Sequence, residues 1–223
     1  MKDFKKVRWL VWIPLALLIA LSVFFLLHLD DLTVEHLLAY TPDNYFLAAL
    51  FFLGMFALKS LSVFFPIVVL YLASAVIFPL PAALLVNLAG ATIDFLLPYG
   101  IGRLWGVEPV ESLLSRYPKA KEFARFQRKS DWFTSYFFRV IGCLPGDLVS
   151  LYFGALGLPL SHYLTGSLTG ILPGLLSSTL LGVSISDPTS PLFWGSAAVT
   201  IGISVLSALL HWKWRQKQQK RSP

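Results

Sequence analysis

Residues Phe137 to Gly174 read FFRVIGCLPGDLVSLYFGALGLPLSHYLTGSLTGILPG. Only Arg139, Asp147 and His162 break the apolar character of this run with basic or acidic groups. It is longer than the roughly 20 apolar residues that one transmembrane helix needs. Pro145, Pro159 and Pro173 interrupt it, with glycines at Gly142, Gly146, Gly154 and Gly157. A proline inside a soluble helix costs about 3 kcal/mol. Within a bilayer, neighbouring segments can satisfy the backbone groups that proline frees. The run therefore predicts membrane-embedded helices with a deliberate break near Pro145.

The rest of the chain agrees. Of its 223 residues, 56% are hydrophobic and 13% charged. A soluble domain carries about 25% charged residues, so much of this surface faces something other than water. One cysteine, Cys143, excludes an intrachain disulfide and a multi-cysteine metal site. It reads as a small buried hydrophobe. The four histidines are scattered, and no metal site or cofactor is readable.

At the N-terminus, Lys2, Lys5, Lys6 and Arg8 precede an apolar stretch from Trp9 to Leu29. A signal peptide has a shorter core and a small-x-small cleavage site. Neither is present, so this stretch is read as an uncleaved first transmembrane helix. An acidic segment follows, with Asp30, Asp31, Glu35 and Asp43 and no Lys or Arg. Phe46 to Gly102 is apolar except for Lys59 and Asp94. The central polar stretch 103–131 is basic. Trp132 to Gly182 is apolar, Ser184 to Pro191 is a turn, and Leu192 to Trp212 is a last hydrophobic helix. The tail from Lys213 to Arg221 is basic.

Basic flanks stay in the cytoplasm, which places both termini and the central stretch inside and the acidic segment outside. The net charge of +6 then reflects topology and anionic headgroups, not nucleic acid. Inside at Asp131 and inside at Lys213, the second half crosses an even number of times. It holds three hydrophobic blocks: 132–158, 163–183 and 192–212. The first, rich in Gly and Pro, is the one expected to re-enter. Between Val107 and Lys129, mixed apolar and basic residues suggest an amphipathic helix on the inner leaflet.

The halves resemble each other. Lys59, Pro66, Pro79 and a helix at 82–102 match Arg139, Pro145, Pro159 and a helix at 163–183. Gly90 and Gly170 recur at similar distances from their prolines. The expected fold is an all-α integral membrane protein: an inverted repeat of re-entrant hairpin plus transmembrane helix, with flanking N- and C-terminal transmembrane helices. Three regions result: 1–45, a membrane core at 46–183, and 184–223. Opposed broken segments meeting near mid-membrane are a transporter pattern.

Charges within apolar blocks cost at least about 2.5–3.5 kcal/mol each at the bilayer centre. Lys59, Arg139, Asp94 and Asp147 are such charges. If the hairpin tips meet, Lys59 and Arg139 offer positive charge, and Asp94 and Asp147 balance it or exchange protons. Arg103, at a helix end, is a third candidate headgroup ligand. Guanidinium suits a phosphate-bearing headgroup. No Ser-His-Asp arrangement stands out, and no nucleophile–base pair suggests an enzyme.

Two runs carry a family resemblance. AGATIDFLLPYGIGRLWG (Ala89 to Gly106) resembles the Tyr-x-Ile-Gly-Arg-x-x-Gly helix of the DedA superfamily, the VTT-domain or SNARE-associated Golgi proteins. Phe137 to Gly174 resembles that family's second hallmark, an arginine and a proline-bearing hairpin followed by a helix with Gly-x-x-Pro-Gly. The resemblance covers about Phe56 to Gly182. It implies two opposed re-entrant hairpins and a role in moving phospholipid or polyprenyl-phosphate carriers, sometimes with protons. Arg139, Pro145, Gly146 and Asp147 fall on the second hairpin motif, and Gly170 and Pro173 on the helix after it. Asp94, Gly102 and Arg103 fall on the first helix motif. Many members have an acid just after the first hairpin proline; here Pro66 precedes Ile67, Val68 and Val69. That departure puts proton coupling through the first hairpin in doubt and leans toward the scramblase-like transmembrane branch.

The expected function is lipid transport or scrambling in a bacterial plasma membrane. The partners are anionic lipids, no nucleic acid, and a homo-oligomer is compatible with the sequence. The alternative is a structural or assembly protein of the membrane.

Overall fold

The computed structural model describes residues 34–62, 65–108, 110, 130–142, 145–185, 189, 191, 193–199, 201–202 and 205. The expected helix at Trp9 to Leu29, most of the amphipathic stretch (all but 107, 108 and 110), Cys143, the basic tail and part of the 192–212 helix lie outside the described residues. The described residues contain helices and no strand. In chain order the helices are α1 (Val34–Ala39), α2 (Tyr45–Lys59), α3 (Ile67–Ile77), α4 (Leu80–Trp105), α5 (Asp131–Ile141), α6 (Gly146–Ala155) and α7 (Leu160–Ser184). Residues 193–199 are also helical.

Local chemistry sets the breaks. The Asn44 side chain accepts from the Phe46 and Leu47 amides and starts α2. Pro66, Pro79, Pro145 and Pro159 stand at the N-caps of α3, α4, α6 and α7. The residue before a proline is steered away from helical backbone, so each proline separates one helix from the next. Gly142 ends α5 in the left-handed region, at φ 59°, a conformation that a Cβ disfavours. The long helices begin before the expected 82 and 163, because a helix tolerates proline at its start, and they end at Trp105 and Ser184.

A first short helix, a second short helix and a long helix thus occur twice, as α2–α3–α4 and α5–α6–α7. The long helices have 26 and 25 residues, each with an 18-residue stretch apolar enough to span a membrane. At about 1.5 Å per residue they extend well beyond the roughly 30 Å hydrocarbon layer. They are the two helices long and apolar enough to cross a membrane among the described residues. α1 is an addition to the expected pattern, a helix inside the acidic segment.

Each long helix packs against its own first short helix, α4 on α2 and α7 on α5, and also on the other set's second short helix, α4 on α6 and α7 on α3. The two cores show the same exchange. Phe95 and Tyr99 of α4 lie in the core built by α5 and α6. Leu175 of α7 lies in the core built by α1 to α4. Close approach depends on glycine. A Cβ on Gly102 would run into the Leu151 carbonyl, and one on Gly154 into the Tyr99 carbonyl. Those two glycines let α4 and α6 meet backbone to backbone.

Candidate functional site

The interruptions before Pro66 and Pro145 bring the starts of α3 and α6 to one cavity of about 690 Å3. Its wall includes Phe65, Ile67, Gly142, Pro145, Gly146 and the middle of α4 and α7. The volume falls within the roughly 300–1,000 Å3 of small-ligand sites. Lys59, Asp94, Arg139 and Asp147 all line it.

Lys59 ends α2, Asp94 sits mid-α4 and Asp147 lies in the first turn of α6. All three are buried. Lys59 Nζ donates to Asp147 Oδ1 at 2.7 Å and Oδ2 at 2.9 Å. It also donates to Asp94 Oδ2 at 3.3 Å. Asp94 Oδ1 is 3.1 Å from the ammonium, but the angle there makes no hydrogen bond, so this oxygen has none among the described residues. Pro98, four residues on, lacks the N–H that would bond the Asp94 carbonyl. Sequence reading set Lys59 beside Arg139 as a headgroup ligand; in the structure its ammonium is engaged by two carboxylates.

Arg139, near the end of α5, is held differently. Nη1 donates to the Gly146 carbonyl at 2.9 Å. Nη2 donates to Ser150 Oγ at 2.7 Å and to the Tyr163 hydroxyl at 3.1 Å. The guanidinium carbon stands 3.8 Å from the centre of the Phe95 ring. Tyr163 in turn donates to the Phe95 carbonyl at 3.1 Å and stacks on Tyr99. Of five N–H donors on a guanidinium, three are used, and Nε has no partner among the described residues. No carboxylate there forms an ion pair with it.

Room for this side chain comes from two glycines. A Cβ on Gly146 would lie 2.7 Å from Arg139 Nη1, and one on Gly170 would lie 2.8 Å from Arg139 Cβ.

Residues 65–184, more than half of the chain, match the VTT domain. The chain belongs to the VTT-domain family. This domain is that of the DedA and SNARE-associated Golgi proteins, a family of membrane proteins. Neither a curated protein nor a solved structure matches the chain.

Within the VTT domain lie Asp94, Arg139 and Asp147. Lys59 precedes it, so the cation of the ion cluster comes from the helix ahead of the matched residues. Arg103 is not part of the cluster. It is exposed at the far end of α4, where it donates to the Tyr99 hydroxyl at 3.0 Å. Pro173 lines the cavity from within α7. Gly102 serves the contact between α4 and α6, away from the cavity.

Several residues of the VTT core were not expected from sequence. Tyr163, Ser150 and Phe95 complete the setting of Arg139. Asn87 forms a second buried network. Its Oδ1 accepts from Ser74 Oγ at 2.6 Å, and its Nδ2 donates to the Tyr71 carbonyl and to Thr179 Oγ1 at 3.2 and 3.0 Å. This ties α3, α4 and α7 together.

Proposed function

We propose that this chain moves lipids that carry a phosphate headgroup, phospholipid or polyprenyl phosphate, through the cavity between two re-entrant hairpins. The hairpins are α2–α3 and α5–α6, and the two halves are inverted copies in a multi-pass plasma-membrane protein with cytoplasmic termini. Helix length supports re-entry. α3, α5 and α6 have 11, 11 and 10 residues, about 15–16 Å each and too short for the roughly 30 Å hydrocarbon layer. Exposed Leu85, Leu97 and Leu104 on α4 suit contact with lipid tails.

The observation that carries the reading is the state of Arg139. Its guanidinium lines the cavity, anchored by neutral acceptors, with donors left over and no carboxylate in direct ion-pair contact with it among the described residues. A phosphate monoester or diester is the anion that guanidinium geometry matches. The head would pass Arg139 while the tails stay in hydrocarbon. Asp94 and Asp147 hold the balancing charge and are the candidates for proton exchange. Transport of this kind makes and breaks no covalent bond, so no enzyme activity is assigned.

A structural role is the second reading, and the Lys59–Asp147 ion pair favours it, because it joins the two halves without reference to any ligand. Liposomes separate the two. Purified wild type and Arg139→Gln, reconstituted at matched amounts, are assayed for scrambling of fluorescent phospholipid and of a polyprenyl phosphate. Wild-type activity toward either lipid, lost in Arg139→Gln with unchanged abundance, is the expected result. No activity toward both, with or without a proton gradient, would transfer the assignment to the structural role.

A further inference from the structure

A second space adjoins α7. It measures about 560 Å3 and is walled by Leu172, Leu176 and Leu180 of α7 and by Pro191, Gly195 and Val199. Its surface is almost entirely hydrocarbon. Leu172, Leu176 and Val199 are 40%, 38% and 53% exposed, so the groove opens outward and is not an internal packing gap.

Pro173 and Ser177 line both this groove and the Arg139 cavity. Four residues apart, they stack on one face of α7. At these two residues the groove and the cavity share a wall. Neither residue offers a donor to a molecule crossing the boundary: proline has no N–H, and the Ser177 hydroxyl donates back to the Gly174 carbonyl at 3.1 Å. Gly174, between them, faces open space.

The two spaces share a wall and differ in that the cavity, though mostly apolar, holds charged groups and the groove holds none. On one side are a guanidinium and an ion cluster; on the other is hydrocarbon. A molecule that suits both at once is an amphiphile with a phosphate at one end and a long apolar chain at the other. We propose that the groove between α7 and the segment of Pro191, Gly195 and Val199 binds one hydrocarbon tail of the lipid whose phosphate sits at Arg139. The tail site rests on the lipid reading above, and adds where the chain leaves the cavity: past Pro173 and Ser177.

The test uses wild-type protein in phosphatidylcholine vesicles with a trace of phosphatidic acid whose acyl chain ends in a photoactivatable diazirine. A diacylglycerol with the same chain and no phosphate reports contact with bulk lipid. After illumination, adducts are mapped to peptides. Phosphatidic acid should label 172–180 and 191–199 several-fold more than diacylglycerol. The excess should vanish in Arg139→Gln, and in Gly195→Trp, where the new ring enters open space. Equal labelling by the two probes in wild type overturns the tail site, as does no labelling of the groove by either, the result expected if another part of the chain covers it. Scrambling is measured in the same vesicles. Excess labelling without translocation would keep the tail site and remove transport; translocation with equal labelling would do the reverse.

Discussion

The ammonium of Lys59 lies 2.7 Å from Oδ1 and 2.9 Å from Oδ2 of Asp147, joining the end of α2 to the first turn of α6. These residues are 88 positions apart in the chain. Asp94 of α4 completes the cluster, so three helices from both halves converge on one ammonium. A buried pair of this kind adds little net stability over an apolar replacement, but removing one partner is costly.

Lys59→Met should therefore destabilise strongly, by about 3–5 kcal/mol, because it strands two carboxylates. Lys59→Met with Asp147→Asn should recover part of that loss. The triple change that also carries Asp94→Asn should recover most of it. Thermal unfolding in detergent ranks the three proteins. An unfolding temperature for Lys59→Met equal to wild type would show that the cluster does not hold the halves together.

Gly100 and Gly102 lie two residues apart on α4 and should respond oppositely to alanine. Nothing lies within 4 Å of a Cβ at Gly100, so Gly100→Ala should be neutral or gain up to about 1 kcal/mol from lower chain entropy. At Gly102 the obstacle is the Leu151 carbonyl, which is backbone and cannot swing away. Gly102→Ala should cost about 1–3 kcal/mol by forcing α4 and α6 apart. Equal stabilities, measured by chemical unfolding in detergent, would contradict this packing.

The contrast shows what sequence could and could not reveal. Arg139, Asp147 and Pro145 stand out because a charge or a proline in an apolar run is expensive and needs a reason. The same holds for Lys59 and Asp94. That the two acids balance the two cations was legible; that both engage Lys59 and neither pairs directly with Arg139 among the described residues was not, since which helices cross is decided by contacts such as Gly102 on Leu151. Tyr163, Ser150 and Asn87 escaped notice for another reason. A neutral polar side chain is ordinary in a membrane helix, and only its neighbours reveal whether it anchors a guanidinium or bridges helices. Gly146 and Gly170 were visible as motif glycines, but not as the two sides of one arginine slot.

Asn87 invites a smaller effect. Replacing it with leucine removes three hydrogen bonds across α3, α4 and α7. Ser74 and Thr179 keep intrahelical acceptors at the Tyr71 and Leu175 carbonyls. Hydrogen bonds between membrane helices average about 0.6 kcal/mol. Asn87→Leu should thus cost about 1–2 kcal/mol, and Thr179→Val should add little to it. Strict additivity in the double variant would argue that the two side chains do not share a network.

Gly146→Ala distinguishes the transporter from the scaffold. The new methyl would meet Arg139 Nη1, 2.7 Å from its Cβ, and no other atom within that range. The far end of an arginine side chain can move aside at small cost, and alanine favours the helix by about 0.5–1 kcal/mol over glycine. Stability should therefore change by less than about 1 kcal/mol. The guanidinium, however, must leave the Gly146 carbonyl and shift its donors within the cavity. If Arg139 guides a phosphate, lipid scrambling should fall about tenfold, the equivalent of some 1.4 kcal/mol, in a protein that unfolds like wild type. If Arg139 only braces α5 against α6, scrambling activity, where present, should follow stability and stay nearly unchanged. Measuring both in one preparation decides between them, because Gly146→Ala moves the charge without removing it.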